Sequence, residues 1–223
     1  MLFVLADDNS YDNWHEEIAD LLDDERIILL HFENNNVVKT RNMINDYIKT
    51  EIKNVVLVGR LDADDEYASE TVLSEIENIY YAYDPDLILA GNYLRQNGNI
   101  IMRKNPAVKD FANEEYLLER LKQMSQNNPE SELPSCNLFV RPECLLPYPD
   151  IASGEDHALL VQYLVNQDKY KAFFAEDILL TIYNLGGNTT SCNIKTTKHQ
   201  ICREQLYQNT LELCKKKKGN KKH

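Results

Sequence analysis

The stretch "LDADDEY", residues 61–67, sets Asp62, Asp64, Asp65 and Glu66 directly after the apolar run "NVVLVGR" of residues 54–60. Carboxylates this crowded repel one another, so either water solvates them in a turn or a cation sits among them. On an extended chain Asp62 and Asp64 point to the same side, because strand side chains repeat every two residues. Two carboxylates on one side suit a hard divalent cation such as magnesium or manganese, which keeps positions open for phosphate oxygens. A solvated turn with a helix cap accounts for the same residues without a metal. Other motif classes do not fit. A calcium loop counted from Asp62 needs glycine at its sixth position, where Tyr67 stands. Phosphatases with an aspartyl nucleophile place Thr or Val where Asp65 stands. A Walker loop and a G-x-G-x-x-G are both absent.

A second candidate is "SGEDHALL", residues 153–160, in which Glu155 and Asp156 open a helical pattern after a loop. A carboxylate at a helix start is stabilised in its ionised form and can accept a proton at neutral pH. Plain helix capping is the other reading. His157 adjoins Asp156, but neighbouring helix positions diverge, so it need not share the site. A third acidic pair, Asp7-Asp8, closes another apolar run. His15, His31 and His199 have no partner at metal-ligand spacing and read as structural or exposed.

These residues need elements to position them. "LFVLA" (2–6), "RIILLHF" (26–32) and "NVVLVGRL" (54–61) are continuous apolar runs suited to buried strands. Between them, Trp14, Ile18, Leu21 and Leu22, and then Ile44, Tyr47 and Ile48, recur at helical spacing. Val72, Leu73, Ile76, Tyr80 and Tyr83 mark a further helix. Strands apolar on both faces and joined by helices imply a mostly parallel sheet with covered faces. Ligands bind beyond the carboxyl ends of such strands, where both Asp7-Asp8 and the 62–66 cluster fall.

The second half reads differently. "DLILAGNYLRQNGNIIMRK" suggests two strands joined at Asn97-Gly98. "NEEYLLERLKQM" and "EDHALLVQYLV" read as helices, "SCNLFV" as a strand stopping at Pro142, "LLPYPDIASG" as a loop, and "YKAFFAE" and "ILLTIYN" as two short strands. Gly186-Gly187 reads as a turn. No linker separates two domains. The expected division is residues 1–195 as the main domain, 196–214 as a last helix and 215–223 as a lysine-rich tail.

The chain has 223 residues, 43% hydrophobic and 27% charged, ordinary for a soluble globular protein. No apolar run approaches the roughly 20 residues that cross a bilayer, and the start lacks a signal-peptide pattern, so a cytoplasmic location is expected. Five scattered cysteines without a C-x-x-C pair read as reduced structural thiols. The net charge is −12, and removing the six lysines of "CKKKKGNKKH" leaves −18. An acidic body argues against general nucleic-acid binding. The lysine tail reads either as a solvated segment or as a weak contact with anionic membrane or nucleic acid.

Taken in order, these motifs resemble a family 2 glycosyltransferase of the GT-A fold, a Rossmann-related, mostly parallel sheet flanked by helices with a small antiparallel element in the second half. "FVLADDNSYDN" resembles the family's "VDDxSxD" segment, and "NNNVVKTRNMIND" its "N-x-G-x-x-x-A-R-N" stretch, with Arg41-Asn42 in the matching place. "LDADD" matches the D-x-D core, "SCNLFVRPECL" resembles the strand before the acceptor loop, "GEDHALL" matches the E-D motif and "YNLGGNTTS" resembles the closing segment, together covering about residues 2–191. The family's usual first unit, a strand and helix carrying "SVIIPTYN", is not seen before Met1, and "LGGNTTS" lacks the histidine or arginine often found near that point.

The resemblance implies an inverting, metal-dependent transfer of a sugar from a nucleoside diphosphate sugar, with a uridine diphosphate sugar preferred, to a hydroxyl of a carbohydrate, lipid or protein acceptor. It assigns nucleotide contacts to Asp8, Asp7 beside it and Arg41. Asp62 and Asp65 fall to the ribose and diphosphate. Asp64, with Asp62, becomes the ligand of Mn2+ or Mg2+, and Asp156 the catalytic base. Acceptor specificity is expected around 103–112 and 146–154. A non-catalytic GT-A-like binding domain and a metal-dependent nucleotide-sugar hydrolase are the competing expectations.

Overall fold

The computed structural model describes residues 1–96, 99–101, 108–128, 131–185 and 196–220. The Asn97-Gly98 turn, residues 103–107 of the first acceptor loop, Gly186-Gly187 with most of the closing segment, and residues 221–223 of the lysine tail lie outside the described residues. The chain divides into two compact units.

The N-terminal unit comprises Met1–Asn54 with Pro147–Asp150. Strand β1 (Phe3–Asp8) pairs in parallel with β2 (Ile27–Phe32), in a register running from Phe3↔Ile27 to Asp8↔Phe32. The helix expected through Leu22 is only a short α1 (Trp14–Glu17) followed by a 3-10 turn over Ala19–Leu21. Neither segment has a buried residue and Leu21 is 55% exposed, so packing does not extend the helix beyond its costly first turn. Helix α2 (Val37–Glu51) is longer because it buries Val38, Thr40 and Ile48 and because the Asn36 side chain caps it, accepting from the Lys39 N–H at 3.0 Å.

The C-terminal unit comprises Val55–Leu146 and Ile151–His223. Its sheet is built on β4 (Leu87–Gln96) and β7 (Ala172–Leu185), which run parallel. Antiparallel strands complete it: β3 (Glu66–Tyr67) on β7, and β5 (Asn99–Ile101) and β6 (Leu138–Val140) on β4. Leu87, Ile88, Leu89 and Ala90 are all fully buried, as a continuous apolar run requires of a central strand. Helix α3 (Val72–Tyr83) covers it through Val72 and Ile76, which pack with Ile88, Ala90, Ala175 and Leu180.

Two strand expectations are corrected here. The two short strands expected between 170 and 184 are one strand, β7. The acidic break at Glu176-Asp177 is absorbed where the register jumps from Ala90↔Ala175 to Gly91↔Leu179. The run at 54–61 is not a ladder strand. It makes one antiparallel bridge, Val58↔Val140, with N–H···O distances of 2.8 and 2.9 Å. Gly59 lies against the Phe139 ring, and a Cβ there would stand 2.4 Å from a ring carbon. Only glycine permits that approach.

Helix α4 (Glu114–Ser125) and helix α5 (Glu155–Val165) pack with a last helix, α6 (Thr197–Asn220). The expected lysine tail therefore begins inside a helix. Lys217 Nζ lies 2.9 Å from Asp168 Oδ1, and Lys218 Nζ 2.8 Å from Glu114 Oε1. Cations in the last turn also suit the helix dipole. No helix among the described residues is long and apolar enough to cross a membrane. Cys136, Cys144, Cys202 and Cys214 are free thiols, and burial pushes the Cys136 thiol up to about 12, which suits an inert structural role.

Candidate active site

In the N-terminal unit, the parallel register places Asp7 opposite His31 and Asp8 opposite Phe32 at the strands' carboxyl ends. Asp8 is almost wholly engaged by the backbone. Its Oδ1 accepts from the N–H groups of Asn34 at 2.7 Å and Asn35 at 3.1 Å, and its Oδ2 from that of Asn36 at 2.9 Å. Burial by itself pushes this carboxyl up. The hydrogen bonds from Asn36, Thr40, Asn34 and Asn35 outweigh it and hold the group below its usual range. Asp8 thus moulds the loop that starts α2, a structural task the sequence did not disclose.

Asp7 also lies below its usual range, first through its hydrogen bond with the Ser10 side chain, which outweighs desolvation, and further through the Ser10 N–H and His31. Its Oδ1 accepts from the Ser10 N–H at 3.1 Å. Arg41 stacks its guanidinium over the Tyr148 ring, 5.4 Å from the centroid. Next to it, Asn42 clamps the Tyr148 backbone, donating to its carbonyl at 3.0 Å and accepting from its N–H at 2.7 Å. The Arg41-Asn42 pair therefore holds the 147–150 segment against α2.

In the C-terminal unit the structure brings Asp62 and Asp156 to one cation, Arg60. Arg60 Nη2 donates to Asp62 Oδ2 at 3.1 Å, its Nε lies 3.0 Å from Asp62 Oδ1, and the same Nη2 is 3.5 Å from Asp156 Oδ2. Asp62 and Asp156 remain about one-quarter exposed. Asp65 is buried, and its N–H closes a turn onto the Asp62 carbonyl at 2.9 Å. Asp64, at the tip of that turn, is exposed.

Asp156 is held from two further sides. Ser135 Oγ donates to its Oδ2 at 2.7 Å, and its Oδ1 accepts from the His157 N–H at 2.8 Å. Gly154, the residue before α5, has φ 77°, a left-handed conformation in which a side chain is strained. Behind it, His157 Nε2 lies 3.3 Å from Glu132 Oε2, and Glu132 pairs with the buried Arg203. His199, 6% exposed, shares a hydrogen bond of 2.9 Å with Ser153 Oγ. Burial, followed by the nearby Arg203 charge, lowers its pKa, so it is neutral at pH 7.

Sequence reasoning missed Arg60, Ser135 and Glu132. Arg60 carried a signal, as the lone cation between an apolar run and an acidic cluster. Ser135 and Glu132 carried none, since they reach α5 only through the fold. Chemically, the C-terminal cluster is a set of carboxylate oxygens already arranged around one positive charge, the donor type that hard divalent cations prefer.

The family model for Glycosyl transferase family 2 matches residues 3–145. No curated protein sequence matches the chain. Among solved structures it is similar to S. aureus TarS 1–349 in complex with UDP-GlcNAc, with TM-score 0.65 and 12% identity over 95% of this chain and 63% of that one. It is also similar to the same TarS fragment in complex with UDP, with TM-score 0.58 and 13% identity over 94% and 61%. A further S. aureus TarS structure matches with TM-score 0.61 and 14% identity over 94% of this chain, of which the chain spans 37%. The chain thus spans under two-thirds of the length of each of these structures. The expected GT-A-like α/β architecture is the one observed. With the family model matched over more than half its length, the chain belongs to glycosyl transferase family 2.

Proposed function

We propose that the protein transfers a sugar from a nucleoside diphosphate sugar to an acceptor hydroxyl, with inversion, at the acidic centre of its C-terminal unit. The observation that carries this reading is the convergence of Asp62 and Asp156 on Arg60, with the buried Asp65 in the turn that follows Asp62. Carboxylates that hold a guanidinium can hold another cation in its place once that side chain swings aside. Asp64 and Asp62 are the residues to hold Mn2+ or Mg2+, with Asp65 supporting and contacting the donor. When bound, such an ion offsets the charge that develops on a departing diphosphate. The TarS complexes with UDP-GlcNAc and UDP favour a uridine diphosphate sugar as donor.

Asp156 serves as the general base. Its carboxylate opens α5, where the helix dipole favours the ionised form, and Ser135 fixes the direction of Oδ2. Arg60 Nη2 lies 3.5 Å from the same oxygen, which takes a proton from the acceptor hydroxyl once that side chain swings aside. In the N-terminal unit, Asp7 and Arg41 stay assigned to the nucleotide, while Asp8 acts through the loop at 34–36 that it holds. The acceptor is a carbohydrate, lipid or protein hydroxyl, met by the loops around 103–112 and 146–154. At the start of the second loop, Tyr163 Oη accepts from the Leu146 N–H at 2.8 Å and donates to the Cys144 carbonyl at 3.0 Å.

A binding domain without turnover is the second reading. It is favoured by the double engagement of Asp156 Oδ2 with Ser135 and Arg60, which stabilises the charged form and weakens its basicity. Release of UDP from UDP-sugars, followed with and without Mn2+ and with and without an acceptor, separates the readings. Metal-dependent release stimulated by acceptor supports transfer, and release indifferent to acceptor indicates a hydrolase. Binding without any release indicates a binding domain.

A further inference from the structure

We propose that Asp7, His15 and His31 form a binding site for a transition-metal ion of the zinc class in the N-terminal unit, separate in chemistry from the carboxylate centre and competing with the nucleotide for Asp7. Sequence spacing gave these histidines no partners, but the fold supplies them. Asp7 and His31 are register partners at the carboxyl ends of β1 and β2, and Asp7 Oδ2 lies 3.5 Å from His31 Nδ1. The turn into α1 returns His15 to the same place, its ring stacked on His31 with centroids 5.1 Å apart. One ligand atom from each of the three residues lies within 4.8 Å of the others.

The donor set selects the ion. Two imidazoles and one carboxylate suit zinc, cobalt or nickel, whereas magnesium and calcium prefer oxygen alone. Zinc bonds of about 2.1 Å give a tetrahedral site with edges of about 3.4 Å. The Asp7–His31 edge of 3.5 Å already has about that length, and the exposed His15 imidazole must close in from within 4.8 Å. Support for the ligands is present too. The second oxygen of Asp7 accepts from the Ser10 N–H at 3.1 Å, which fixes the carboxylate's direction as outer-shell partners do in metal sites. Three protein ligands leave a position for water or a further ligand.

The site carries its own reporter. Trp14, the single tryptophan of the chain, stacks on His15 with ring centroids 3.7 Å apart. The full chain is titrated with CoCl2 in excess MgCl2, without nucleotide, while tryptophan fluorescence is followed, and ZnCl2 is then added as competitor. The expected result is a saturable quench that zinc reverses and magnesium does not prevent. His15→Gln and His31→Gln each weaken it roughly tenfold or more, since losing a ligand costs at least what losing a supporting partner does. Both side chains are exposed, and circular dichroism of each variant verifies that the fold is kept. A quench that does not saturate, that magnesium abolishes, or that survives undiminished in the His15→Gln/His31→Gln double variant overturns the site.

Discussion

Asp8 in the N-terminal unit and Asp62 in the C-terminal unit both follow an apolar run, yet their carboxylates meet different partners. Asp8 accepts from three successive backbone N–H groups, whereas Asp62 faces the side chain of Arg60. A backbone cradle cannot be withdrawn without unfolding the loop that forms it. A guanidinium on a flexible stem can swing aside when another cation arrives. The comparison therefore separates a carboxylate that holds structure from one that is available for ligand chemistry, although both looked alike in sequence.

The largest effect expected from this contrast is on catalysis. Asp156→Asn removes the base while keeping the side chain's shape, and should lower transfer by about 10²–10⁴-fold with UDP-sugar binding intact. Transfer at the wild-type rate would disprove the assignment. Next, Asp64→Ala should abolish the metal-dependent part of donor binding, read by calorimetry with and without Mn2+. Because Asp64 is exposed, its thermal unfolding should match the wild type.

The stability of the two carboxylates should diverge. Asp8→Asn turns an amide donor toward a backbone donor and should cost about 1–3 kcal/mol in chemical denaturation. Asp62→Asn, which loses a partly exposed ion pair, should cost about 1 kcal/mol or less. Equal losses would erase the distinction.

The smallest effects expected are those of pH. The folded Asp8 carboxyl titrates below its unfolded value of about 3.9, so its contribution is complete above that pH and lost as pH falls through the folded pKa. His199 is held neutral, so the unfolded chain binds more protons below about pH 6.5 and stability declines as pH falls through that point. His199→Gln should flatten the second decline and leave the first, seen in melting temperatures between about pH 2 and 8.

The sequence disclosed elements wherever local pattern and tertiary packing agree. The acidic first turn and apolar face of "EDHALLVQYLV" made α5 legible from Glu155 to Val165, and the apolar runs of β1 and β2 were legible to within two residues. The run at 54–61 misled because an apolar stretch can earn its burial from a ring, here Phe139 over Gly59, without joining a ladder. The break in β7 misled because a bulge absorbs the residues that a turn would otherwise need. The acids of the candidate site were legible by type and spacing. Their partners were not, since Ser135 lies 21 residues from Asp156 and only the folded sheet brings Arg60 between Asp62 and Asp156. The convergence of Asp7, His15 and His31 was hidden for the same reason, the parallel register of β1 and β2 setting Asp7 opposite His31 and the turn into α1 bringing His15 beside them.

The most direct test of the acidic centre is a calorimetric titration of the chain with UDP, with and without Mn2+. The assignment predicts binding that requires the ion and disappears in Asp64→Ala. Absence of heat for every nucleoside diphosphate with metal present, or equal binding with the ion withheld, would contradict it.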